Sequence, residues 1–210
     1  MAYIVKLKLI ILFFVLGGKQ VTINYFVFFV QTGKEQMACD FLNKMMNDIN
    51  TVAFIPKIEV IYKKSKNIHK ELKPMFAGYV IVRTLMDAES FITEAIMTTK
   101  YIKWFINLLG KQEPDCMALN EQESNFILSL CNKDYIVEQS LGLIKGDQII
   151  INSGPLKGRE SRIKRIDRHK RRALIELQFM GQIRNVYVSL EILSKSREGF
   201  PINNITALEC

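Results

Sequence analysis

The chain is poor in the residues that build metal centres and acid–base sites. Its 210 residues include four cysteines and two histidines. Cys39, Cys116, Cys131 and Cys210 are widely spaced and form no CxxC pair, and His69 and His169 stand far apart. No zinc-ligand spacing results, so no metal and no cofactor is expected. Scattered cysteines of this kind read as free thiols of a reducing compartment, since a disulfide framework would require export. Enzyme motifs are missing too: there is no Walker loop, no GxSxG, no HExxH and no GxGxxG between a strand and a helix. Neither histidine has a nucleophile or carboxylate pattern beside it. The sequence reads as a non-enzyme without a small-molecule substrate.

Long apolar runs are scarce as well. The longest, Leu9 to Leu16, follows Lys6 and Lys8 like the core of a signal peptide, but no small-residue cleavage site comes after it. It is also well short of the roughly 20 apolar residues that span a bilayer. The bland readings of residues 1–20 are an extra strand or helix packed on the domain, or the product of an early translation start. No internal repeat is present.

What the chain does have is ordinary globular composition with one local excess. Apolar residues make up 49% and charged residues 24%. Net charge is +8, and residues 157–172 alone hold nine Lys and Arg against Glu160 and Asp167, a net +7. Such a patch suits nucleic acid or an anionic membrane surface, whereas a run of like charge is also a common solvated face. Two features favour nucleic acid. The cations interleave with Ile163, Ile166, Leu174 and Ile175, as in a packed hairpin, and arginine outnumbers lysine six to three. The planar guanidinium fork suits phosphate and base stacking.

From residue 25 the patterning is regular. "YFVFFV" (25–30) is a buried-strand run, and Ala38, Phe41, Leu42, Met45 and Ile49 fall on one helix face over 34–50. "VAFIPKIEVIY" (52–62) is a strand bent or edged at Pro56. The lysine-rich 63–73 reads as a loop or hairpin tip, and "GYVIVRT" (78–84) as a strand. Asp87 is placed to cap a helix carrying Phe91, Ile92, Ala95 and Ile96. "YIKWFINLL" (101–109) is strand-like, and Asn120 with Glu123 makes a capping pair for 121–130. Beyond 145 the helical period vanishes. Short strands separated by turn signals at 152–154, 167–170 and 181 indicate a small all-β unit.

The C-terminal run "GDQIIINSGPLKGRESRIKRID…ALIELQFMGQIRNVYVSLEIL" resembles a KOW domain. Its carriers are the strand after Gly146, the Gly154–Leu156 turn, the hairpin end Phe179–Gly181 and the closing strand. The preceding part resembles the N-terminal domain of NusG-type transcription factors, through Gly33–Glu35, "KPMFAGYVIV" (73–82) and "LNEQE" (119–123). Together they make the chain similar to NusG, and "QTGKE" with "GPLKG…IDRHKRRALIEL" most resembles the LoaP antitermination branch. Two positions depart from the family pattern: Ala77 replaces a proline, and Ser161 a glycine.

The resemblance implies an α+β chain: an antiparallel-sheet α/β sandwich over 21–131, a linker over 132–143, an SH3-like all-β KOW barrel over 144–195 and a tail over 196–210. It implies a cytoplasmic elongation or antitermination factor. Tyr25 and Phe76, then Met75 and Tyr79, would grip the clamp helices of RNA polymerase. Nascent RNA, as a structured leader element, would meet Lys157, Arg159, Arg162, Lys164, Arg165, Arg168, His169, Lys170, Arg171 and Arg172. Phe179 and Met180 occupy the position that receives ribosomal or termination-factor proteins in the general factor. Barrel packing explains those two equally well.

Overall fold

The computed structural model describes residues 22–46, 49–64, 67–109 and 118–196. In chain order its first elements are β1 (Asn24–Val30), α1 (Glu35–Met45), β2 (Val52–Phe54), β3 (Lys57–Lys64), β4 (Asn67–Pro74), β5 (Tyr79–Thr84), α2 (Ala88–Thr99) and β6 (Phe105–Leu108). There follow α3 (Glu121–Leu130), β7 (Ile136–Val137), β8 (Ser140–Lys145), β9 (Gln148–Ser153), β10 (Ile163–Asp167), β11 (Arg172–Phe179) and β12 (Gln182–Ser196). The class is α+β, as expected. No described helix is long and apolar enough to cross a membrane. The apolar N-terminal run and the tail beyond Ser196 lie outside the described residues.

The chain divides into two compact units, and the division does not follow chain order. Among the described residues, one unit comprises those from 22 to 55 together with those from 77 to 119; the other comprises those from 56 to 76 and those from 120 to 196.

In the first unit an antiparallel sheet runs β2-β5-β1-β6. The apolar run of β1 places Phe26, Phe28 and Val30 in a core with Ala38 and Leu42 of α1 and Phe91 and Ala95 of α2. Phe26 stacks on Phe91 at 4.1 Å between ring centroids. Each buried phenylalanine stabilises the unit by about 1.5–3 kcal/mol relative to exposure. Asp87 caps α2 as expected, accepting the Ser90 N–H at 2.9 Å and its hydroxyl at 2.8 Å. Those bonds hold the Asp87 carboxyl below its usual range.

α1 has no capping side chain at Lys34. Glu35 instead ties two turns together. Its buried carboxylate accepts the Gly33 N–H at 2.8 Å and the Gly78 N–H at 2.7 Å. Gly78 has φ +82, and a Cβ there would meet the Phe29 ring at 2.9 Å. The helix also stops sooner than its spacing suggested. Met46 turns inward, its N–H closing on the Leu42 carbonyl at 2.8 Å, and Ile49 is left 92% exposed.

In the second unit, β11 and β12 form the centre of a five-stranded sheet in the order β10-β11-β12-β8-β9. β12 pairs antiparallel with β11, then runs on parallel to β8. Alternation along β11 buries Ala173, Ile175, Leu177 and Phe179, and Leu156, Val188 and Leu190 of the same unit are buried as deeply. Gly154 (φ +92) is required where it stands, since a Cβ would lie 2.6 Å from the Gln139 carbonyl oxygen. Asn120 caps α3, accepting the Glu123 N–H at 2.8 Å. The Glu123 carboxylate accepts the Gly181 N–H at 2.8 Å in the β11–β12 turn.

Three segments differ from the sequence reading. The lysine-rich 63–73 is mostly ribbon: β3 runs to Lys64, β4 starts at Asn67, and cross-strand pairs such as Lys70–Glu59 support it. The stretch read as a linker carries β7 and the start of β8, strands too short to register as a period. Finally, only Phe105–Leu108 of the strand-like 101–109 is strand.

Candidate nucleic-acid interface

The basic run folds as β10, a turn and β11, entered through a single 3-10 turn at Glu160–Arg162. Ser161 is exposed in that turn and does not adopt positive φ, so this backbone accepts a side chain where a glycine was the family expectation. Ile163 and Ile166 are half-buried and Ala173 and Ile175 fully buried, which leaves the hairpin packed along one side while the charges line the other.

The turn is held by its own carboxylate. Asp167 accepts the Lys170 N–H at 3.0 Å. That bond first, and the neighbouring cations Arg172, Lys170 and Arg165 after it, hold the Asp167 carboxyl below its usual range despite some desolvation. Arg171 takes φ 45, a conformation in which its carbonyl accepts the Leu190 N–H at 3.0 Å and fixes the turn to β12. Glu160 does similar service at the entrance, accepting the Ile151 N–H at 3.2 Å. Its carboxyl also lies below the usual range, chiefly through its own backbone N–H.

The ten residues expected to meet RNA fall into two groups. Five are engaged inside the protein. Arg159 donates to the Pro155 carbonyl at 2.7 Å and the Ser129 carbonyl at 3.4 Å. Arg162 lies over the Phe126 ring at 5.2 Å, and Lys164 pairs with Glu176 across the hairpin. Arg171 pairs with Glu191 at 3.3 Å. Arg172 stacks over Tyr187 at 3.9 Å, with its Nε 3.5 Å from Asp167, an electrostatic contact in which that buried Nε makes no hydrogen bond. Such half-exposed pairs contribute little stability; they fix where a charge stands.

The other five are exposed: Lys157, Arg165, Arg168, His169 and Lys170 make no side-chain hydrogen bond or ion pair with any described residue. Three of them line an open concavity of about 640 Å³ with Asp167, Arg171 and Glu191. Three guanidiniums there face two carboxylates, and the exposed arginines are free to take an oxyanion bidentately. Phosphate is the ligand that this chemistry fits.

The residues expected to grip polymerase are divided between the two units. Tyr25 and Tyr79 are half-buried in the first unit, on the sheet face opposite the helices; Phe29 pairs with Tyr79 in register, ring centroids 5.2 Å apart. Met75 and Phe76 are buried in the second unit, where Phe76 stacks on Phe179 at 4.0 Å. Phe179 is 1% exposed, while Met180 is half-buried at φ 53 in the turn. Two aromatics that order this surface were not singled out from the sequence: Phe126 and Tyr187. For Tyr187 the signal was present, because alternation in "NVYVSL" points it away from buried Val186 and Val188.

Comparison with known proteins adds the family. No curated protein matches the chain. A solved structure of NusG from Thermotoga maritima, concerned with domain interaction in that protein, is 18% identical over 81% of this chain and 94% of that one, with a TM-score of 0.44. The family described as "Transcription termination factor nusG" matches residues 23–128, half of the chain. The chain belongs to the NusG family.

Proposed function

We propose that this NusG-family chain is a cytoplasmic, non-enzymatic transcription elongation factor of the antitermination type, nearest the LoaP branch. Its N-terminal domain, over 21–131, docks on the clamp helices of RNA polymerase through Tyr25, Tyr79, Met75 and Phe76, and suppresses pausing or termination. Phe76 engages polymerase only after exchanging the Phe179 ring for a polymerase side chain. The KOW domain, over 144–195, holds a structured element of the nascent RNA on the β10–β11 hairpin. Lys157, Arg165, Arg168, His169 and Lys170 make the phosphate contacts, while Arg159, Arg162, Lys164, Arg171 and Arg172 hold the surface in shape.

One observation carries this reading: the packed β10–β11 hairpin of a NusG-family chain presents exposed cations that make no side-chain hydrogen bond or ion pair with the described residues. Phosphate contacts position a nucleic acid without reading its sequence, so selectivity comes from RNA shape. Crosslinking to RNA in cells tests it. Removing charge at Arg165, Arg168 and Lys170 abolishes the crosslinks while leaving the amount of folded protein unchanged. Undiminished crosslinking overturns the reading, and would favour a general factor whose KOW domain receives a ribosomal or termination-factor protein at Phe179 and Met180.

A further inference from the structure

A second concavity of the same unit, about 300 Å³, lies between the β3–β4 ribbon and β12. Its floor is apolar, from Ile58, Met75 and Val186. Two tyrosines line it, Tyr62 at 43% and Tyr187 at 41% exposure, with Lys73, Lys170 and Arg172 beside them. No carboxylate is among the lining residues; the partners of Lys73 and Arg172, Glu71 and Asp167, stand outside it.

The tyrosines are held differently. Lys73 donates to the Tyr62 hydroxyl at 2.8 Å and stands 5.4 Å from the ring centroid. Together the two distances place the ammonium nearly in line with the C–O bond, so it does not cover the ring face. The contact raises the Lys73 pKa, chiefly through that hydrogen bond, so the charge persists at neutral pH. At Tyr187 the central carbon of the Arg172 guanidinium lies over one face, 3.9 Å from the ring centroid, so a cationic planar group stands beside the ring that an incoming base would meet.

We propose that this groove seats an unpaired, stacked nucleotide of single-stranded RNA. The ligand must be flat and aromatic to use the tyrosines and guanidinium, and anionic to match three cations without a lining carboxylate. Aromatic platforms within a cationic groove are how single strands are held without sequence preference. A volume near the low end of small-ligand pockets fits one nucleotide. Lys170 and Arg172 belong both to this groove and to the basic hairpin. A strand leaving a stem on β10–β11 therefore continues into it. The assignment rests on the reading of that hairpin as an RNA surface.

The test compares the affinity of the full chain for oligouridylate and for a blunt RNA duplex. Tyr62→Leu keeps the apolar bulk and removes the aromatic face. It is expected to weaken oligouridylate binding about 5- to 150-fold, the effect of losing one base–aromatic stack, and so to lower the oligouridylate-to-duplex affinity ratio. Tyr187→Leu provides a second, independent variant, with thermal unfolding as the check on folding. An unchanged ratio in both, or no oligouridylate binding by the native chain, overturns the groove. Failure of the hairpin reading looks different: Arg165→Ala with Arg168→Ala would leave duplex affinity unchanged.

Discussion

Replacing Glu35 by alanine is a sharp test of why two family motifs, Gly33–Glu35 and the segment around Gly78, occur in one chain. Glu35 opens α1, and its carboxylate bonds one glycine N–H from each motif. Alanine is the best helix former, so local propensity predicts neutrality or a small gain. Loss of a negative charge at the helix N-terminus costs about 0.3–1 kcal/mol. The bridge predicts more. Gly33 is exposed and its N–H regains water, losing a net bond of roughly 0.5–1.5 kcal/mol. Gly78 is buried, and its orphaned N–H carries a desolvation cost of about 1–3 kcal/mol. Together Glu35→Ala should destabilise by about 2–4 kcal/mol. In urea, with a slope of about 1–3 kcal/mol/M, the midpoint falls by roughly 1–2 M. Glu35→Gln keeps one acceptor oxygen and should lose about half as much. Amide exchange at Gly78 should accelerate in the alanine variant more than at other β5 positions. An alanine variant within about 1 kcal/mol of the native chain would refute the bridge.

Three further outcomes follow from the second unit. Gly154→Ala forces a Cβ to 2.6 Å from backbone at φ +92, whereas Gly158→Ala meets nothing within 4 Å at φ +75. The second should cost only the left-handed strain of about 1–2 kcal/mol and the first clearly more, by urea unfolding. Asp167 has a carboxyl pKa below its ordinary 3.8, so its stabilisation is complete above that value and is lost as pH falls through the lower, folded value. The gap in Tm between the native chain and Asp167→Asn should therefore be constant near neutrality and close only in acid. Burial pushes the Cys131 thiol from 9.0 up to about 11. At pH 8 the native chain should alkylate at Cys131 about a hundredfold more slowly than the unfolded chain, read by mass spectrometry.

Much of the fold was legible because local signals agreed. The run at 25–30, the Asp87 and Asn120 caps and the alternation from Arg172 to Phe179 each specify their element within a few residues. What was not legible depends on partners distant in sequence. Nothing local shows that 56–76 shares a unit with residues from 120 onward, or that Phe76 finds Phe179. The 63–73 stretch read as loop or hairpin tip because β4 is exposed all along 68–73, so no alternation of apolar and polar residues marks it as strand. The basic cluster was legible as charge, but its division was not. Which cations are engaged depends on Ser129, Phe126, Tyr187 and Glu191, residues that only the folded chain brings near.

The salt dependence of binding between the full chain and a stem–loop RNA tests the central claim most directly. The logarithm of the affinity should fall linearly with that of salt concentration, by about 0.9 per phosphate neutralised. Replacing Arg165, Arg168 and Lys170 together by alanine should make that slope shallower by about two to three. Because those exposed side chains make no hydrogen bond or ion pair with the described residues, stability should change by no more than about 0.5 kcal/mol per site. Salt-independent binding, or an unchanged slope in the triple variant, would contradict the account.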